Sequence, residues 1–273
     1  MLVLSLAGCA GQTSTVSSTS ARRRLPPPLP PVVLRPAPRR AGGATLTRLL
    51  RLGLPIYCAG RRGHDVAFTF DDGPGVYTSL AIRKLARAHE RATFFVVGRS
   101  MDQYHGYLRR ELRVAAIGDH TYTHPILLAL SPSQITWQLE ATARKIEAQT
   151  RRRVDLWRPP YELHNATTDR IAQRLGLVEI LWDVDSQDSL GAGYAQIIKH
   201  VEAGLHPGAI IEMHENRGQT IRALTTLLPL LHRRHLRSVS VLHLLGADPP
   251  SVAQVRRGLL GCGGAARHAR SAE

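Results

Sequence analysis

The sequence predicts an α/β fold built on parallel strands. Three observations lead to it. From about residue 55, short apolar runs alternate with segments of helical period, the order that strand–helix–strand units leave in a chain. A length of 273 residues with 43% hydrophobic residues suits one sizeable core, or at most two domains. Polar residues gather where the apolar runs end, the edge at which an α/β enzyme assembles its chemistry. A barrel and an open doubly wound sheet both satisfy this pattern.

The chain opens MLVLSLAGCAG, an apolar stretch ending in small residues like the tail of a secretory signal peptide. Leu6-Ala7-Gly8-Cys9 is similar to a bacterial lipobox, which predicts a lipidated Cys9. Residues 10–45 are rich in Ser, Thr, Pro, Arg and Gly, too poor in apolar surface to fold, and read as a tether. Strands are then expected at 65–70, 93–97, 178–182, 209–213 and 239–242. Helices are expected at 79–90, 131–150, 166–175, 194–203 and 219–234. The 131–150 helix has Ser131 as its N-cap and Pro132 at its first position. Residues 258–273, rich in Gly, Ala and Arg, read as a poorly ordered tail.

The formal charge is +15, carried almost wholly by Arg in short solvated runs such as 151–153. Such a surface favours anionic polymers. Zinc-knuckle spacing, RRM-like runs and basic–aromatic stripes are missing, which argues against a nucleic-acid partner. Aromatic residues make up 5%, so aliphatic side chains must fill most of the core. An export context permits a disulfide between Cys58 and Cys262, and two buried free thiols are the alternative.

Five polar constellations follow one another. Asp71-Asp72 leave the first strand into a Gly-Pro turn, so one carboxylate can bind metal while its neighbour serves as a base. An ordinary acidic turn is the bland alternative. His120 and His124 lie four apart and can converge as metal ligands, either in a helical turn or in a loop. The chain has 13 histidines, so two surface ones are the competing explanation. Arg158-Pro159-Pro160-Tyr161 is a rigid turn able to aim an Arg at a carboxylate and to present a backbone N–H. Asp183, Asp185 and Asp188 crowd the end of another strand, where one of them could orient a catalytic His. His214 follows an apolar strand, a place suited to a general acid, although a lone His there is more often structural.

Taken together and in this order, TFDDGP, HTYTH, RPPY, WDVDSQD and IEMH resemble the five motifs of the polysaccharide deacetylase family (carbohydrate esterase family 4, NodB-homology domain), over residues 64–245. The resemblance implies a distorted (β/α) barrel of the glycoside hydrolase/deacetylase-like kind. It implies metal-assisted hydrolysis of an acetamide or acetyl ester. Asp71 then resembles the catalytic base, and Asp72, His120 and His124 the ligands of a divalent metal, Zn²⁺ first and Co²⁺ or another ion next. Arg158 resembles the residue that holds the base, and Tyr161 the one whose backbone N–H helps bind the oxyanion. Asp188 resembles the acid that tunes the catalytic His, and His214 the general acid.

Three positions depart from the pattern: Glu162 where Gly usually follows RPPY, Ser189 where Trp usually follows the fourth motif, and Glu215 in place of a common Asp. Composition and resemblance together divide the chain into a signal-peptide remnant with lipobox (1–9), a tether (10–50), a deacetylase domain (55–248) and a C-terminal extension with a disordered tail (249–273). The expected substrate is an acetylated polysaccharide: peptidoglycan N-acetylglucosamine first, then chitin oligosaccharide or acetylxylan. The expected setting is a monomer exported to the cell envelope, touching the membrane only through a lipid at Cys9, or else secreted. A catalytically weak or inactive glycan-binding protein on the same fold is the second reading.

Overall fold

A computed structural model describes residues 43–263. The signal-peptide and lipobox reading, the tether up to residue 42 and the tail from residue 264 lie outside the described residues. The strands are β1 (Asp65–Gly73), β2 (Ala92–Val96), β3 (Ala115–Asp119), β4 (Leu156–Trp157), β5 (Val178–Glu179), β6 (Val184–Asp185), β7 (Ile210–His214) and β8 (Arg237–Ser238). The helices are α1 (Gly43–Leu52), α2 (Thr78–Arg87), α3 (Ser100–Gln103), α4 (Tyr107–Glu111), α5 (Pro132–Thr150), α6 (Ala166–Arg174), α7 (Tyr194–Gly204), α8 (Gly218–Arg233), α9 (Val241–Ala247) and α10 (Val252–Arg256).

Every strand pair is parallel, in the order β5-β4-β3-β2-β1-β7-β6, with β8 alongside the start of β1. The sheet curls into the distorted (β/α) barrel that the resemblance implied. Between its β5 and β7 sides the chain just before β1 acts as a strap. Ile56 N–H donates to the Glu179 carbonyl (3.0 Å), Leu181 N–H to the Ile56 carbonyl (2.9 Å) and Ala59 N–H to the Gly208 carbonyl (2.9 Å).

Strand alternation splits the core in two. Val66, Phe68 and Phe70 of β1 face outward and pack with Leu85 of α2, Leu139 of α5 and Leu224 of α8. Ala67 faces the other way and joins Phe95, Leu156, Ile180 and Ile210 with Leu49 of α1 and Leu244 of α9. Thr69 and Asp71 share the side of Ala67, so the inner face turns from apolar to polar along β1. The register pairs Asp71 with His214 and Asp119 with Trp157, which brings four strand ends to one edge.

Several expectations need correction. Residues 43–50 are not tether: they belong to α1, whose Leu49 is buried in the inner core. The strand expected at 239–242 is displaced. β8 lies at Arg237–Ser238, and Ser240 then caps α9 by accepting from His243 N–H. The strand expected at 178–182 is only two residues long, because the strap takes over its pairing at Ile180. Residues 258–262 form a helical turn rather than loose tail. They end in a disulfide between Cys262 and Cys58 of the strap, 204 residues apart in sequence. No described helix is long and apolar enough to cross a membrane.

A bridge closing so long a loop stabilises mainly by restricting the unfolded chain. Replacing both Cys58 and Cys262 by Ser is expected to lower the unfolding free energy by about 2–4 kcal/mol, read from urea midpoints.

Candidate active site and metal centre

Arg158, directly after β4, is fully buried. Its Nη1 donates to Asp71 Oδ1 (2.9 Å) and Thr69 Oγ1 (2.8 Å). Its Nε and Nη2 donate to the carbonyls of Ile180 (3.0 Å) and Leu181 (3.3 Å). Phe95 and Trp182 present ring faces to the guanidinium at 4.2 and 5.2 Å. Asp71, 2% exposed, is therefore held in one orientation by a charge-assisted bond in a dry setting.

Asp72 sits at the irregular end of β1 with φ of 72° and turns away from its neighbour. Gly73 is required next, since a Cβ there would fall 1.3 Å from Glu215 Oε1. The His120–His124 segment is a loop, not a helical turn, with Thr121 and His124 at φ of 65° and 57°. Gln138 of α5 pins it by accepting from the N–H groups of Tyr122 and Thr123, each at 2.9 Å. His120 Nδ1 lies 2.8 Å from the Arg158 carbonyl. A carbonyl only accepts, so Nδ1 carries the proton and the Nε2 lone pair faces the site. His124 Nε2 is 3.2 Å from His120 Nε2, and Asp72 Oδ1 is 3.2 and 3.7 Å from the two nitrogens.

Burial, helped by neighbouring His120, pushes His124 down to about 4, so its imidazole is neutral and in the ligand form at neutral pH. Metal–ligand bonds of about 2.0–2.2 Å give tetrahedral donor–donor edges of about 3.3–3.6 Å. The three donor–donor distances, 3.2, 3.2 and 3.7 Å, lie within about 0.1 Å of that range, and three ligands leave a fourth position for water or substrate.

His214, at the end of β7, is the register partner of Asp71. Its backbone N–H donates to Asp188 Oδ2 (2.8 Å) and its Nδ1 to Asp188 Oδ1 (2.7 Å). Thr220 Oγ1 adds a third bond to Asp188 at 2.5 Å. Burial opposes charging of both partners. The bonds from His214 nevertheless hold Asp188 below its usual range, and the Glu212 and Asp188 carboxylates push His214 up to about 10. His214 Nε2 points back toward Asp72 Oδ2 at 4.0 Å. Asp183 instead pairs with His206 (2.7 Å), and Asp185 accepts from Gln187 N–H (2.6 Å). Of the three acids in the fourth motif, Asp188 alone meets His214.

Tyr161 follows Pro159-Pro160 at φ of 60°, is 60% exposed, and sets its ring edge-on against His124 with centroids 4.6 Å apart. Glu162 also has positive φ, 59°, a backbone that the expected Gly adopts without strain. Ser189 sits in a helical turn beside Leu190, which is 60% exposed. Glu215 lies under the site, buried, accepting from Thr78 Oγ1, and burial drives it well above the usual carboxylate range.

Sequence reasoning missed four supporting residues: Thr69 and Gln138 above, Glu212 at 3.2 Å from His214 Nδ1, and Asn216, which donates to Asp72 Oδ2 at 3.2 Å. The period of two along a strand marks 69 and 212 as companions of 71 and 214. Nothing local marks Gln138 or Asn216. Breaking a buried ion pair from one side leaves an uncompensated charge. Arg158→Leu is therefore expected to cost about 3–5 kcal/mol in urea unfolding, with part of the loss recovered when Asp71→Asn is added.

Residues 59–180, which include Asp71, Asp72, His120, His124, Arg158 and Tyr161, match the family model described as polysaccharide deacetylase. The chain is 33% identical over 183 residues to the peptidoglycan-N-acetylglucosamine deacetylase PgdA of Listeria monocytogenes; this covers 66% of the chain but only 39% of that protein. It is 31% identical over 192 residues to a chitooligosaccharide deacetylase of Sinorhizobium fredii, covering 64% of the chain and 89% of the relative. Among solved structures, a family 4 carbohydrate esterase from Streptomyces lividans, in complex with acetate, superposes with a TM-score of 0.61 at 31% identity, covering 66% of this chain and 92% of that one. A pseudoenzyme of the same esterase family from Bacillus anthracis superposes with a TM-score of 0.67 at 29% identity, covering 71% and 69%. On fold, motifs and relatives together, the chain belongs to the polysaccharide deacetylase family.

Proposed function

We propose that this chain is a divalent-metal-dependent deacetylase that hydrolyses the N-acetyl groups of an amino-sugar polymer, with peptidoglycan N-acetylglucosamine as the first candidate. The observation that carries the reading is a held carboxylate, Asp71, and a charged imidazole, His214, neighbours across the β1–β7 register that each come within 4.0 Å of a three-donor cluster. Asp72, His120 and His124 are the ligands in this reading, with Zn²⁺ favoured by the nitrogen-rich set and Co²⁺ an acceptable substitute. A cation there would polarise the acetyl carbonyl and make a water acidic enough to attack it at neutral pH.

Asp71, fixed by Arg158, takes a proton from the attacking water. The Tyr161 backbone N–H, aimed by the double proline, contributes to binding the developing oxyanion. His214, charged and oriented by Asp188, gives its proton to the sugar nitrogen as the C–N bond breaks, releasing acetate and a free amine. The same groups suit an acetyl ester. Relatives named for peptidoglycan, chitooligosaccharide and xylan span that range. In this reading residues 55–248 are the catalytic domain, and a monomer anchored by a lipid at Cys9 or secreted acts in the envelope, where its +15 charge suits an anionic wall. The likeness to a pseudoenzyme, with Glu162 and Ser189 at altered positions, favours a second reading as a non-catalytic glycan binder. The complete set of proton carriers and ligands argues against it.

The test is acetate release from N-acetylglucosamine oligomers, peptidoglycan and acetylxylan by chelator-stripped protein reloaded with Zn²⁺ or Co²⁺. Release should require metal and fall by about 10²–10⁴-fold in Asp71→Asn and by a similar factor in His120→Ala. Metal-loaded protein inert on all three glycans favours the binder. The pH profile gives a separate check. His214 acts in its charged form, so activity is lost as pH rises through its raised pKa. Asp188→Asn removes a charge that raises it, and the alkaline limb of kcat/KM should move down by about 1–3 pH units.

A further inference from the structure

A second cluster lies away from the site just described. His164, Asp169 and Glu179 bring one ring nitrogen and two carboxylates within 4.8 Å of one another. His164 follows the Tyr161–Glu162 turn, Asp169 is in the first turn of α6, and Glu179 ends β5. Glu179 is 5% exposed, and neither of its carboxylate oxygens has a hydrogen-bond partner. A buried carboxylate left in that state is costly, which calls for a missing partner.

The spacing indicates what kind of partner. Three histidine–carboxylate bonds of this protein close to 2.7 Å: His206–Asp183, His214–Asp188 and His232–Glu90. His164 Nδ1 makes longer contacts, a hydrogen bond of 3.1 Å with Asp169 Oδ1 and a separation of 3.3 Å from Glu179 Oε1. The nearest carboxylate contact of His124, in the catalytic cluster, is similar at 3.2 Å. Those distances approach the roughly 3.3–3.6 Å donor edge around one ion with bonds of about 2.0–2.2 Å.

Charge points the same way. Burial pushes the nearby Tyr57 up to about 12, and the Glu162, Glu179 and Asp169 carboxylates add to it. The neighbouring Trp157, in register with Glu179, also has an unpartnered Nε1–H. Both line a small cavity with Asp169 and Gln173 that has room for about one water. Such a water could fill the fourth position of an ion and accept from the indole.

We propose that His164, Asp169 and Glu179 form a second, structural divalent-cation site of the zinc class. It ties β5 to α6 and to the loop that carries Tyr161. A three-ligand set closed by one water, containing neither His214 nor Asp71, has no proton carrier for hydrolysis and serves to fix that loop.

The test counts bound metal in the full, tag-free chain, stripped with chelator and dialysed against Zn²⁺ alone. Wild type should hold about two ions and His120→Ala about one, while His120→Ala/Glu179→Gln should hold none. The same Zn²⁺ should raise the thermal midpoint of His120→Ala and leave that of the double variant unmoved. His164→Asn, in the same background, repeats the test if Glu179→Gln fails to fold. Loss of all metal in His120→Ala alone, or retention of the remaining ion when Glu179 or His164 is replaced, overturns the proposal. Since the count is made without the His120 cluster, failure here is distinguishable from failure of the deacetylase reading.

Discussion

The buried pair between Arg158 and Asp71 is the constraint on which the rest of the site depends. Desolvating two charges is expensive, and the expense is offset only where every remaining donor finds an acceptor. Here the guanidinium reaches Thr69 and the carbonyls of Ile180 and Leu181 as well as Asp71, and its faces lie against Phe95 and Trp182. The backbone of the same residue takes the Nδ1 proton of His120. One residue therefore orients the candidate base with its side chain and a candidate ligand with its carbonyl. It also keeps Asp71 on the sheet while Asp72, at positive φ, turns toward the histidines.

The fold supplies the edge at which this happens. Because β1 alternates, Ala67 packs on Leu49 and Leu244 while Thr69 and Asp71, farther along the same face, meet polar partners. The apolar plug from α1 and α9 and the strap at Ile56–Ala59 keep water from the lower interior. The Cys58–Cys262 bridge fastens that strap to the chain's C-terminal turn. The strap, the plug and the ion pair make one unit, since Ile180 pairs with the strap, packs in the inner core and accepts from Arg158.

The candidate site was legible in the sequence because it is local: each motif sits at a strand end, and a resemblance over five ordered motifs suggested roles that single motifs left open. The residues alone left open which acid serves His214, since Asp183, Asp185 and Asp188 differ only in where a short turn aims them, and it was the resemblance that singled out Asp188. Strands β4 and β6 were invisible because two residues carry no periodicity. Helix α1 was hidden in Arg-rich sequence, because what makes it part of the domain is the burial of Leu49 in a distant core. Gln138 and Asn216 act across the fold, and only tertiary structure brings them to the loops they hold. Glu179 was read as part of an apolar strand, where its burial beside Trp157 gives it a different meaning.

The central claim is that Asp72, His120 and His124 hold a cation while Asp71, kept back by Arg158, stays off it as a base. Anomalous diffraction at the zinc edge, on crystals of the Zn²⁺-loaded chain, tests this directly. The account predicts a peak about 2.0–2.2 Å from Asp72 Oδ1 and from Nε2 of both histidines, with Asp71 still bonded to Arg158. A peak ligated by Asp71, or no peak at this edge of the sheet, would contradict it.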